Sequence, residues 1–316
     1  MNTIIACKDK KKFGQTTFWK QVNAYKYYYL LLLLPLAYYL IFCYLPMYGA
    51  TLAFKEFRYD KGIFNSPWVG MQYFKMLWKD TDFITAFANT LIISLSKVVF
   101  CFPLPIILAL FINEIKNKNV KRFYQTVFTF PHFLSWIIVA GIITNLLSDR
   151  GAINQIISLF GVQPQSLLTD SSRFRLVIYI SQAWKEMGWD SIIYLAALAG
   201  INPEMYEAAN LDGANRLQML RYITWAGIKS TVSIVLILAI GSAMVSNFDQ
   251  IFNLYNPSVY KVADVLDTYV YRQAFSVNTD FSYASAVGLL KSAVSLVLVF
   301  LANFTVTRLF KEDGLV

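Results

Sequence analysis

IIYLAALAGINPEMYEAANLDGANRLQMLRYITWAGIKSTVSIVLILAI, residues 192–240, reads as two apolar runs joined by a polar stretch that has an order of its own. Asn202 fits a helix N-cap, Pro203 fits the first helical position because its missing amide hydrogen would have had no partner there, and Glu204 complements the positive dipole end. Met205, Ala208, Ala209 and Leu211 then form a surface of mostly small residues against which another backbone can pack, and Glu207 adds a fixed charge. Gly213 ends the helix, since a positive φ there would cost any other residue about 1–2 kcal/mol. The expected product is a surface helical hairpin, residues 202–226, between two long apolar segments.

Those flanking segments set the fold class. Of 316 residues, 57% are hydrophobic and only 15% charged, and mean hydropathy is positive, a balance that a water-soluble domain of this size does not show. A hydrocarbon core of roughly 30 Å takes about 20 apolar residues per helix to cross. Runs of that length occur near Tyr28–Tyr48, Ile84–Ile112, Thr126–Leu147, Leu176–Gly200, Ile228–Ser246 and Tyr283–Leu309. The reading is an all-α polytopic membrane protein, with a basic segment over residues 1–27 and one bundle of about six transmembrane helices over residues 28–316. Pro35 and Pro46 predict kinks in the first span. The aromatic loop Gly49–Asp82 suits an interfacial or external position, and Asn247–Ser282 is the longest connection between spans.

Charge sets the orientation. Lys8, Lys10, Lys11, Lys12, the turn Lys116–Arg122, Arg216, Arg221, Lys229, Arg308 and Lys311 fall on one side. The other side carries fewer Lys and Arg, diluted by Asp60, Asp80, Asp82, Asp149, Asp170, Asp249, Asp264, Asp267 and Asp280. Basic residues collect in cytoplasmic loops, so both termini and the hairpin are expected in the cytoplasm, and the net charge of +9 needs no nucleic acid to explain it. Cys7, Cys43 and Cys101 have neither disulfide nor metal-ligand spacing.

Glu207, Ala208, Ala209, Gly213 and Ile223, at the spacing EAA, three residues, G, nine residues, I, resemble the EAA motif of ABC importer permeases. The segments LPMYG (45–49), SPWVG (66–70), FPHFLSW (130–136), IIYLAALAGI (192–201) and GLLKS (288–292) are similar to those of sugar permeases of the LplB and YteP type, related to the maltose permeases. The resemblance implies a MetI-like bundle whose cytoplasmic coupling helix docks on an ATPase through Glu207, Ala208, Ala209, Asp212 and Gly213. It further implies a heterodimer with a second permease, a pair of ATPase subunits that use ATP and Mg, an external solute-binding protein, an oligosaccharide released from a polysaccharide as cargo, and no cofactor or catalysis on this chain. One departure stands out: Ala226 occupies the place where the sugar branch usually has proline.

Polar residues inside spans cost about 2.5–3.5 kcal/mol each if they face lipid at a helix centre, so Lys185, Glu186 and Asp190 should face protein or water. Glu186 and Asp190 lie one turn apart beside Trp189, and two carboxylates with an indole suit the hydroxyls and the apolar face of a sugar. With Asn145 and Asn247 they form the candidate substrate pathway; the competing reading is interhelical hydrogen bonding that only holds the bundle together. Lys97 and Lys291 raise the question of an acidic sugar, against snorkelling or structural pairing. His132, expected at the cytoplasmic end of the third span, reads as a packing residue. A membrane enzyme lacks its nucleophile, metal cluster or phosphate loop here, an ion-coupled carrier lacks its inverted repeats with broken midplane helices, and an ABC permease for another solute would share the hairpin without the other segments.

Overall fold

The computed structural model describes residue 20 and residues 22–161, 163–245, 248–275 and 280–310. Among them the chain is helical and forms no strand, only a single antiparallel bridge between Lys55 and Trp68. It divides into two units, residues 1–51 and 52–316.

The first unit is built on α1, Lys26–Tyr39, which continues as a π-helical turn over Leu40–Tyr44 and a last turn over Leu45–Met47. The π-turn falls just before Pro46, which has no amide hydrogen to give back to the preceding turn. Leu30 to Leu34 are each more than half exposed. The apolar window of the segment Lys26–Phe54 has no buried residue.

The second unit carries α2 (Thr81–Cys101), α3 (Pro103–Glu114), α4 (Lys118–Thr129), α5 (Trp136–Leu147), α6 (Phe174–Ala199), α7 (Pro203–Leu211), α8 (Trp225–Ala243), α9 (Phe248–Leu254), α10 (Leu266–Phe275) and α11 (Phe281–Phe310). Five helical segments of the whole described chain are long and apolar enough to cross a membrane: 26–54, 81–114, 136–159, 216–243 and 281–308. The sixth expected span is α6, 26 residues long, whose central turns hold Lys185, Glu186 and Asp190. Ile106 and Ala109 of α3, Tyr194 and Leu198 of α6, and Ile228 and Val232 of α8 form one buried cluster. Phe83 and Ala86 of α2, Tyr269 of α10 and Tyr283 and Val287 of α11 form another.

Two features differ from the sequence reading. The third span is broken: α4 ends at Thr129, a 3₁₀ turn covers Phe130–Phe133, and α5 starts at Trp136 with Ser135 as N-cap. The apolar part follows the break, in the helical segment 136–159, while α4 holds the basic Lys118, Lys121 and Arg122. His132 lies at the break, just before segment 136–159 and so near a span end as expected, and beside the middle of α6. The stretch expected as a long external loop is likewise largely folded, with Ile251, Leu254, Leu266 and Tyr269 buried.

Polar ties hold that folded stretch. Arg175 donates to Asn89 Oδ1 (2.8 Å) and to the Val262 carbonyl (3.0 Å), while Asn89 Nδ2 donates to the carbonyls of Lys261 (3.1 Å) and Asp264 (3.0 Å). Asp80 caps α2, its Oδ1 accepting the amides of Asp82 and Phe83. Its Oδ2 accepts the hydroxyls of Tyr269 (2.6 Å) and Tyr283 (2.8 Å). Burial pushes this carboxyl up, but the hydrogen bonds donated by the two tyrosines and the two amides outweigh it and hold Asp80 below the usual carboxylate range. One aspartate thus joins the start of α2 to α10 and α11.

Candidate functional site

The hairpin forms as its residues dictate. Asn202 Oδ1 accepts the Glu204 amide at 3.1 Å, Pro203 opens α7, and Gly213 ends it at φ +78°. The amides of Asp212 and Ala214 close the turn on the carbonyls of Ala208 (3.0 Å) and Ala209 (2.9 Å). A Cβ on Gly213 would meet no atom within 4 Å, so the glycine is required there by backbone conformation and not by space. Asn215 and Gln218 then form a reciprocal capping box that starts the short helix Arg216–Met219. A π-turn over Leu220–Thr224 leads into α8, whose helix runs straight through Ala226.

The hairpin is anchored at its root and bare at its tip. Tyr206 and Thr224 share a hydrogen bond of 2.9 Å across its two arms, and a Cβ on Gly227 would come within 2.7 Å of the Ile201 side chain. Glu207, Ala208, Asp212 and Gly213 are exposed, Ala209 is half-buried, and Leu211 is 89% exposed. Leu211 is thus a bare apolar side chain at the tip of the turn, beside Glu207 and Asp212.

The second site lies along α6, beside the helix break. A cavity of about 810 Å³ is lined by Lys97, Gln182, Glu186, Trp189 and Asp190 among others. A smaller one, about 380 Å³, shares Gln182, Glu186 and Asp190 and adds Trp136, Phe248 and Asp249. Glu186 and Asp190 thus stand on one face of α6, as their spacing predicts, and Trp189 joins them on the wall of the larger cavity. Lys185 is turned away and buried: its Nζ donates to Glu186 Oε1 (3.0 Å) and to the His132 carbonyl (2.8 Å), and lies over the Trp136 ring. That second bond satisfies a carbonyl freed by the helix break. Asn145 sits in the last turn of α5 and lines neither cavity. Asn247 lies outside the described residues.

Three residues of this region escape a reading of the sequence. His132 Nδ1 is 2.6 Å from Glu186 Oε2, and its ring stacks on the Trp189 indole at 4.3 Å. Gln182 and Gln250 receive Lys97: Nζ donates to Gln250 Oε1 at 2.6 Å and to Gln182 Oε1 at 3.4 Å, while Gln250 Nε2 donates to the Ile178 carbonyl and Ser181 Oγ. Lys97 is therefore buried and hydrogen-bonded to two neutral amides and does not snorkel; Lys291 pairs with Asp267. A glutamine carries no charge signal in a sequence, and Gln250 lies in a stretch that reads as loop. Among the described residues no group of three or more His, Cys, Asp or Glu is placed to hold a metal ion.

Comparison with known proteins gives a consistent picture. Residues 101–311 match the family described as binding-protein-dependent transport system inner membrane component. Protein LplB of Bacillus subtilis (strain 168) is 42% identical over 291 residues, covering 92% of this chain and 91% of its own. The polygalacturonan/rhamnogalacturonan transport system permease protein YteP of the same organism is 40% identical, covering 92% and 90%. Among solved structures, a bacterial ABC transporter involved in the import of the acidic polysaccharide alginate superposes with a TM-score of 0.85 at 38% identity, over 92% of this chain and 99% of that one. The bacterial alginate ABC transporter in complex with an alginate pentasaccharide-bound periplasmic protein gives the same score at 37% identity, over 94% and 99%.

Proposed function

The chain belongs to the binding-protein-dependent transport system inner membrane components, multi-pass permease subunits of ABC importers that are not themselves catalytic, and from that premise we propose that it moves oligosaccharides released from an acidic polysaccharide. In this reading it pairs with a second permease, two ATPase subunits that bind ATP and Mg, and an external solute-binding protein that delivers the sugar. Both termini and the hairpin face the cytoplasm.

The observation that carries the reading is the hairpin: a knob with a fixed root, between two spans, presenting Glu207, Ala208, Ala209, Asp212 and Gly213 around the bare Leu211. Closure of an ATPase dimer on ATP has to reach the spans through a small, rigid contact, and residues 202–226 have that form. The cargo class is supported by the relatives, whose names specify polygalacturonan, rhamnogalacturonan and alginate. The route is the pair of cavities along α6, lined by Glu186, Trp189 and Asp190, with Lys185 bracing the wall; Asn145 would join it only outside these cavities. Alternating access would open that route to one side at a time.

The test is to purify the complex in lipid with Gly213→Val or Glu207→Arg. A β-branched residue at φ +78° strains the turn, and the arginine reverses a charge on the docking surface. Both variants should insert and fold, yet lose bound ATPase or lose the hydrolysis stimulated by the loaded binding protein. Full ATPase binding with full stimulated turnover in both would remove the hairpin from the coupling route. A screen of uronate-containing and neutral oligosaccharides against the cognate binding protein decides the cargo.

A further inference from the structure

We infer that His132 is a positioning residue that holds the Trp189 indole as a stacking surface for one sugar ring of the cargo; this rests on the larger cavity being the substrate route. The imidazole and the indole lie 4.3 Å apart and only 4° from parallel. Aromatic pairs left to themselves favour offset or edge-to-face packing, and Phe133 stands perpendicular to the same indole at 5.8 Å. Near-parallel rings at that centroid distance are an offset stack, one of the favoured geometries, and neighbouring groups select its plane. Here two bonds fix it: Glu186 Oε2 takes His132 Nδ1 at 2.6 Å, and Lys185 Nζ holds the His132 carbonyl at 2.8 Å while bonding the other Glu186 oxygen.

The buried Lys185 and the part-exposed Glu186 are thus both tied to His132, one at its carbonyl and one at its ring. The charged brace adds orientation. With one face of the indole taken by the imidazole, its exposed remainder, 43% of the residue, lines the 810 Å³ cavity. A pyranose ring offers an apolar C–H face to an indole and hydroxyls to carboxylates, and Asp190, the next residue along α6, lines the same cavity. The recognition is therefore of a ring shape with outward hydroxyls.

The test compares His132→Ala, His132→Phe and Trp189→Ala in the full importer in proteoliposomes, measuring complex yield, hydrolysis stimulated by the loaded binding protein, and sugar delivered per ATP hydrolysed. His132→Phe keeps a ring to stack but has no bond to Glu186. His132→Ala should lower sugar delivered per ATP by roughly three- to ten-fold with yield and stimulated hydrolysis near wild type, the scale of one lost aromatic contact. His132→Phe should recover much of that loss, and Trp189→Ala should match or exceed it. A parallel fall of yield, hydrolysis and delivery in both His132 variants would make the residue a structural brace and overturn the inference. Wild-type coupling in His132→Ala alongside a loss in Trp189→Ala would overturn it and leave the route standing. Wild-type coupling in Trp189→Ala would overturn the route reading, and the inference with it.

Discussion

Two glycines show how differently one residue type is used. A Cβ at Gly188 would lie 2.0 Å from the Phe128 carbonyl oxygen and 2.7 Å from the Thr129 amide nitrogen. These are backbone atoms that no rotamer change can move, so α4 lies directly on α6 there. Gly213 has open space around it and an αL backbone. Gly188→Ala should therefore force the two helices apart, lowering the melting temperature and the yield of monodisperse complex. Gly213→Ala should cost about 1–2 kcal/mol in a local turn and leave global melting nearly unchanged. Thermal denaturation of the two purified variants side by side measures the contrast, and equal melting would contradict the close crossing.

Among the elements, α2 shows how a single cap can carry distant packing. Because Asp80 is held below the usual carboxylate range in the fold, its contribution is complete at neutral pH and is lost as pH falls through and below that range. Melting temperature should fall on acidification in the wild type and fall less in Asp80→Asn, which should itself be less stable at pH 7. Identical acid profiles would mean that the tyrosine hydroxyls do not stabilise the charge. The elements themselves were unequally legible. The hairpin follows from Asn202, Pro203 and Gly213 because caps and breakers act within a turn of where they are written. The break in the third span does not, since FPHFLSW is apolar enough to read as continuous helix, and what makes the break tolerable is Lys185, far along the chain. Glu186, Trp189 and Asp190 could be grouped by helical spacing alone. His132, Gln182 and Gln250 could not, because their partners come from other helices.

On the scale of the whole molecule, the charge balance that orients the bundle can be read directly. With Cys7, Cys43 and Cys101 replaced by serine, a cysteine at exposed Ser258 should react with an impermeant thiol reagent added outside intact cells, and one at exposed Asp212 only after the membrane is opened. The reverse pattern would invert the topology. The broken third span has a further bearing, on how the protein is made. The His132 carbonyl gains its lysine from a residue 53 positions later. While the ribosome is still completing α6, that carbonyl has no protein donor, and hydrocarbon offers none. Insertion of the third segment must therefore wait beside the translocation machinery, or beside water, until α6 arrives. Release into lipid is then a joint event of two spans in place of one after the other, and a chain stalled short of Lys185 should remain bound to the insertion apparatus.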